Sequence, residues 1–372
     1  MNDKIWVILL LVLLIPLKVY SDYMEPTEIH MERAIVLEVE EGENIEEIEG
    51  LLGQVQYVKL QILSGKFKGQ IFEVENNLSN NMAYDIVVKE GDRVIVGIEE
   101  YEEDFVEVYI TDYARQSYVF YLLALFILLI LAIGRGKGLK AILTLGITIF
   151  IIVKILLPLM LKGINPIPIS VLAAIVITII TILFIAGINT KSISAIIGTC
   201  SGVIIAGIIA YFVGSQVRLT GLSSEEATML MFIPQRVDFD FRGLLFSGII
   251  LGALGAIMDV GMSIASSIEE IHNANKSFTR KELFNSGMNV GRDIMGTMTN
   301  TLILAYTGSS IPLLLLFMAY ETSMIKVINL DIIATEIVRS LSGSIGLVLT
   351  IPLTALVSTF LIKRENSKKE GF

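Results

Sequence analysis

From Tyr118 onward the chain is a succession of apolar runs, each close to the roughly 20 residues that a helix needs to cross a hydrocarbon core about 30 Å thick. Seven such spans are expected, at about 117–134, 140–161, 167–188, 193–214, 243–266, 294–320 and 334–362. They leave little room for a soluble multidomain chain. Charged residues make up 18% of the sequence, against about 25% in soluble domains. Mean hydropathy is +0.71. The fold class read from this pattern is an α-helical polytopic membrane bundle. A further apolar run over 5–20, preceded by Lys4, reads as a cleaved signal peptide or an uncleaved signal anchor; the anchor is the favoured reading, with residues 1–20 as a segment of their own. The single cysteine, Cys200, excludes an internal disulfide framework. His30 and His272 lie far apart in sequence, and no metal site or cofactor is expected.

Charge divides the chain a second time. Residues 21–114 carry 23 acidic and 6 basic side chains, whereas the remainder leans basic. Two environments are implied. Nucleic acid is excluded as a partner of the acidic part, because phosphate would be repelled. Within 21–115 the sequence alternates as strands do, at 34–40, 54–63, 69–75, 93–99 and 105–110. Ser64-Gly65, Asn76-Asn77 and Gly91-Asp92 supply turns between them. A small all-β domain is expected, a barrel or sandwich with an OB-like fold as one form. Seven glutamates fall between Glu38 and Glu49, where a solvated loop or short helix is expected; the spacing is not that of an EF-hand.

Lys and Arg set the orientation of a membrane chain. Arg135, Lys137, Lys140, Lys191, Lys276, Arg280, Lys281 and Arg292 fall in one set of alternate loops, joined by the basic tail 363–372. The other loops hold Lys162, Arg218, Arg236, Arg242 and Lys326. The richer set is expected in the cytoplasm, together with the C-terminus. The acidic domain is then extracytoplasmic. In the long loop 215–242, Ser223-Ser224-Glu225-Glu226 reads as a helix start. Thr279 and Glu282 have capping-box spacing, with a short helix expected to end near Gly287.

Polar residues inside the spans carry the functional reading. In the fourth span Gly198, Gly202, Ala206, Ala210 and Gly214 recur every four residues, the spacing of a close helix–helix seam. In the fifth, Gly248, Gly252, Gly255, Asp259 and Ser263 share one helix face, small toward one end and polar toward the other. In the sixth, Asp293, Thr297 and Asn300 share a face, and by helix rise Asn300 lies at a depth matching Asp259. A carboxylate at such depth needs a partner or a watered cavity. Thr307-Gly308-Ser309-Ser310 before Pro312 marks a kink or break. Glu336 and Arg339 in the seventh span can pair along one helix, and Lys154 is a second neighbour for Glu336 or a snorkelling cation.

The runs GALGAIMDVGMSIASSI (252–268) and GMNVGRDIMGTMTNTLILAY (287–306) are long and distinctive, and with IGLVLTIPLTAL (345–356) they closely resemble the YibE/F family of bacterial multi-pass membrane proteins. The resemblance implies a multi-pass protein of the bacterial cell membrane. It brings no catalytic residue. Three classes of function follow from the residues. The first is a transporter or ion-coupled permease in which Asp259, Ser263, Asp293, Thr297 and Asn300 hold a small ion or solute. The second is a membrane scaffold or sensor whose acidic domain binds a partner or cations; a membrane-protein partner or a homo-oligomer fits either class. The third, an enzyme, lacks support: there is no HExxH, GxSxG or Walker A motif.

Overall fold

The computed structural model describes residues 29–369 except 43–44, 49–50, 80, 82, 101–105, 234–237 and 321–322. The expected anchor over 1–20 lies outside the described residues. The chain divides into two compact units, Met1–Leu129 and Ile130–Phe372.

In the first unit six strands form a half-barrel: β1 (His30–Glu41), β2 (Ile45–Ile48), β3 (Leu51–Ile62), β4 (Ile71–Leu78), β5 (Arg93–Glu100) and β6 (Val106–Tyr113). All pairings are antiparallel. β1 is shared between two neighbours. Its first half pairs with β5, its second with β3, and its register shifts between Val36 and Glu38. That bulge lets the sheet curl, because an extra residue sharpens the local twist. β4 extends the sheet beyond β3, and β6 extends it beyond β5. Alternate residues Val36, Val58, Leu60, Val74, Val96 and Ile98 point inward to one core. Inside it, Gln56 is buried and bonded through both its nitrogen and its oxygen. Its amide donates to the Val88 carbonyl at 3.2 Å, and its Oε1 accepts from Val88 N–H and Asn76 Nδ2, both at 3.1 Å. This network ties the segment between β4 and β5 to the sheet.

The glutamate-rich stretch differs from the expected loop or short helix. β1 runs through Glu41, and Ile45–Ile48 forms a further strand against β3. The reason is visible in β1: Val36 is buried and Glu38 and Glu40 alternate with partly buried neighbours, so one face is solvated while the backbone stays in the ladder.

The second unit is helical. α1 (Gln116–Phe150) continues through a π-helical turn (Ile151–Leu156) into α2 (Leu157–Leu161), a run of 46 residues. It is interrupted at Arg135, whose backbone (φ 47, ψ −126) is not helical, between Gly134 and Gly136. Then come α3 (Pro166–Ala186), α4 (Thr190–Gln216), α5 (Glu225–Met229), α6 (Phe241–Ala274), α7 (Arg280–Ser309), α8 (Ile311–Ala319), α9 (Met324–Ile328) and α10 (Asp331–Lys369). Among the described residues five helices are long and apolar enough to cross a membrane, or six if the bent pair α7–α8 is one span.

Ends are set locally. Ser224 caps α5 by accepting the Ala227 N–H, and Thr279 with Glu282 forms a complete capping box on α7. The expected stop near Gly287 is absent: α7 runs on to Ser309. Gly287 is an approach point, since a Cβ there would lie 2.5 Å from Ile268 Cδ1, and a Cβ on Gly291 would strike Ile351. Glycine at these sites brings α7 against α6 and α10.

α6 is the centre of the unit, packed by α3, α4, α7 and α10, with Ile249, Ile257, Ile264 and Ile268 fully buried. The closest seam joins α4 and α10. A Cβ on Gly198 would strike the Thr354 hydroxyl, one on Gly202 the Thr350 hydroxyl, and one on Gly346 would lie 2.6 Å from Ala206 Cβ. Thr350 spends its proton on the Gly346 carbonyl at 2.8 Å, so its side chain lies flat along its own helix. At one end, Thr220 N–H and hydroxyl bind the Asp331 carboxylate at 3.3 and 2.7 Å, which fixes the start of α10. At the other, Lys191 and Glu269 pair at 2.9 Å.

Gly202→Val should therefore lower the thermal stability of the full chain by about 1–3 kcal/mol, the cost of overpacking a filled interface. Gly248→Ala, where nothing lies within 4 Å of the new Cβ, should leave it within about 0.5 kcal/mol. Thermal unfolding of the two purified variants in one detergent checks the pair.

Candidate functional site

The five residues expected to hold an ion or solute fall on two exposed helix faces. Asp259 and Ser263 are exposed on α6, in line with Gly248, Gly252 and Gly255, which are exposed as well. Tyr306 of α7 leans over this line, its hydroxyl 2.8 Å from where a Cβ on Gly252 would stand. Asp259 makes no hydrogen bond and no ion pair with any described residue. Asp293, Thr297 and Asn300 are exposed on α7. Thr297 donates to the Ile294 carbonyl at 2.9 Å, which leaves its oxygen lone pairs outward.

Thr297 and Asn300 belong to a shallow groove of about 600 Å³ lined by Met295, Gly296, Thr297, Thr299, Asn300, Ile303 and, from α10, Val348. Asp293, Asp259 and Ser263 do not line it. Two features of this groove went unread in the sequence. Pro352 lies inside α10, four residues beyond Val348. Proline has no N–H, so the Val348 carbonyl loses its helical donor. The Thr299 hydroxyl is buried beside the groove with no hydrogen-bond partner. Pro352 was the available signal: a proline within an apolar run frees a carbonyl at a known offset.

The expected break is present. α7 and α8 meet at Ser310 with a bend of 61°. Pro312 in the first turn of α8 cannot donate to Gly308, and Ser309 and Ser310 turn their hydroxyls back onto the Tyr306 carbonyl at 2.8 and 3.2 Å. Against this break stands Glu336 of α10. Its Oε1 accepts from Arg339 Nη1 at 2.7 Å. Lys154, the alternative partner, is exposed in the π-helical turn and makes no ion pair with a described residue.

On the half-barrel, a cleft of about 360 Å³ crosses the outer face of β1, β3 and β4. Register places Glu38 opposite Lys59 and Lys59 opposite Glu73, with Glu40, Tyr57 and Glu75 in the next row. Lys59 pairs with Glu73 at 3.2 Å, and the remaining acids face solvent around the half-exposed Tyr57 ring. Among the described residues no group of three or more His, Cys, Asp or Glu side chains is arranged to hold a metal ion.

Comparison with known families decides what kind of chain this is. The family described as YibE/F-like protein matches residues 122–364, and the YibE/F family N-terminal domain matches residues 28–113. The chain belongs to the YibE/F family. The two matches fall on the helical part and on the half-barrel, so both parts of this YibE/F chain are family features. With its long apolar helices the chain is a membrane protein. No curated protein and no solved structure matches it.

Water should reach the polar faces. In a Cys200→Ser background, Cys introduced at Asn300 or Ser263 should react with a water-soluble maleimide several-fold faster than Cys at Ile208, an apolar position that is also exposed. Equal rates would mean that the polar faces are bathed in lipid.

Proposed function

We propose that this YibE/F protein is an ion-coupled permease of the bacterial cell membrane. In this reading the 46-residue run crosses twice. At 1.5 Å per residue it would be roughly 69 Å long, more than twice a hydrocarbon core, and Arg135 interrupts it. The bent pair crosses once, which gives seven core spans besides the N-terminal anchor. Basic loops place the C-terminus in the cytoplasm and the half-barrel outside.

The observation that carries the proposal is the groove on α7. Asn300, Thr297 and Thr299 stand there beside a carbonyl freed by Pro352. Oxygen groups released from helical bonding at membrane depth are what transporters use to bind ions and substrates. Asp259, an unpaired acid on the adjacent helix, supplies a proton or cation step.

The scaffold reading is favoured by one feature, the acidic cleft around Tyr57, which suits a basic partner or cations. It predicts that the half-barrel on any membrane anchor retains the biological effect.

Reconstituted into proteoliposomes and scanned against cations and small anions, the protein should carry flux. Asp259→Asn should abolish that flux at unchanged folded yield. A variant that loses its fold instead would assign Asp259 to structure.

A further inference from the structure

We infer that the cleft at the α7–α8 break is a binding site for a monovalent cation, with Glu336 Oε2 as its charged ligand. This cleft measures about 140 Å³ and is lined by Tyr306, Thr307, Ser310, Leu314, Glu336 and Ser340, among others. It lies apart from the groove around Asn300, with which it shares no lining residue. The inference concerns binding alone and does not rest on the permease reading.

Two observations converge. First, Glu336 is only half used. Arg339 takes Oε1, while Oε2 is buried and has no hydrogen-bond partner. A buried carboxylate oxygen left without a donor is costly, and a bound cation removes that cost.

Second, the hydroxyls around it are acceptors. Ser310 spends its proton on the Tyr306 carbonyl at 3.2 Å, and Ser340 spends its own on the Ile337 carbonyl at 3.2 Å. A hydroxyl has one proton and two lone pairs, so both side chains have only oxygen lone pairs left to offer. Tyr306 and Thr307 also line the cleft, and their hydroxyls can offer a lone pair as well as a proton. The unsatisfied carboxylate oxygen, with hydroxyl lone pairs around it, favours a cation over an anion.

The charge count argues for a monovalent ion. One shared carboxylate and neutral hydroxyls do not balance a divalent ion, which draws on several carboxylates in its usual sites. The volume admits a partly dehydrated ion and a few waters, each taking roughly 30 Å³.

The test uses the full chain in lipid nanodiscs. Thermal unfolding is followed while sodium, potassium or lithium chloride replaces choline chloride at constant ionic strength. A ligand that binds only the folded state raises the midpoint as its concentration rises. The wild type should show a midpoint that climbs and saturates with at least one of the three ions. Glu336→Gln should abolish the climb. Because that change also disturbs the Arg339 pair, a second variant, Ser310→Ala with Ser340→Ala, leaves the pair intact. It should demand at least several-fold more cation for the same climb. Ser201→Ala, whose hydroxyl sits elsewhere on α4, should behave as wild type. The inference is overturned if none of the three ions differs from choline, if only calcium or magnesium stabilises, or if both site variants respond like the wild type. Should Glu336→Gln fail to fold, the double serine variant decides alone.

Discussion

The fold of the helical unit depends on how closely α4 and α10 approach. Between helices in lipid there is no hydrophobic driving force, so association rests on contact area and on groups that fit. Gly198 and Gly202 accept Thr354 and Thr350, and Gly346 accepts Ala206 in return. Each glycine removes the one atom that would hold the backbones apart. Thr350 tolerates this position because its hydroxyl bonds to its own helix and needs no partner across the seam. Once α10 is held against α4, its other faces are fixed against α6 and α7, and the clefts around Asn300 and Glu336 each take residues from α10.

Prolines then decide where the seams open. A membrane helix satisfies its backbone internally, so a missing N–H produces a free carbonyl that lipid cannot solvate. Pro352 does this in α10 opposite the middle of α7, and Pro312 does it at the α7–α8 junction. The two clefts differ in what surrounds the released groups. At the first, neutral Asn300 and threonines line a broad, open groove. At the second, serines turn their hydroxyls onto the Tyr306 carbonyl, two residues before the one that Pro312 frees, and a carboxylate stands opposite. The same backbone defect thus gives an open neutral surface in one place and a smaller acidic cleft in the other.

Much of this was legible in the residues. Apolar run lengths located the long helices, the Thr279–Glu282 spacing gave the start of α7, and Pro312 after a run of small polar residues marked its end. The glycine stripes were less decisive. Gly198 and Gly202 on α4 and Gly248, Gly252 and Gly255 on α6 have nearly the same periodicity, yet the first set is buried in a seam and the second is exposed. Periodicity defines a face and says nothing of what covers it. Gly287 shows the same limit from another side. A glycine after a capping box reads as a helix end when only local signals count, whereas here it admits Ile268 and the helix continues. In β1, alternation was legible, but the run of glutamates hid the strand beyond it, because charge density masks the period-two pattern.

The two membrane acids illustrate why sequence position and physical role separate. Asp259 lies deeper by helix rise and attracts attention first, yet it is exposed and unpaired on its helix face. An ion at the centre of a membrane helix costs about 2.5–3.5 kcal/mol on insertion scales, and water reaching an exposed face reduces that cost. Glu336 sits beside an arginine one turn away, a pattern that reads as a simple surface pair. Its side chain is in fact 22% exposed, and one of its oxygens is sealed from solvent without a donor. Coulomb attraction to Arg339 compensates one oxygen, but hydrogen bonds are local and directional, and the second oxygen is 2.7 Å from nothing comparable. A bound cation would remove the cost of a buried carboxylate oxygen left without a donor, a cost that the exposed Asp259 does not carry. Burial and partner geometry, more than depth in the apolar run, are therefore what single out Glu336 for the cation site inferred above.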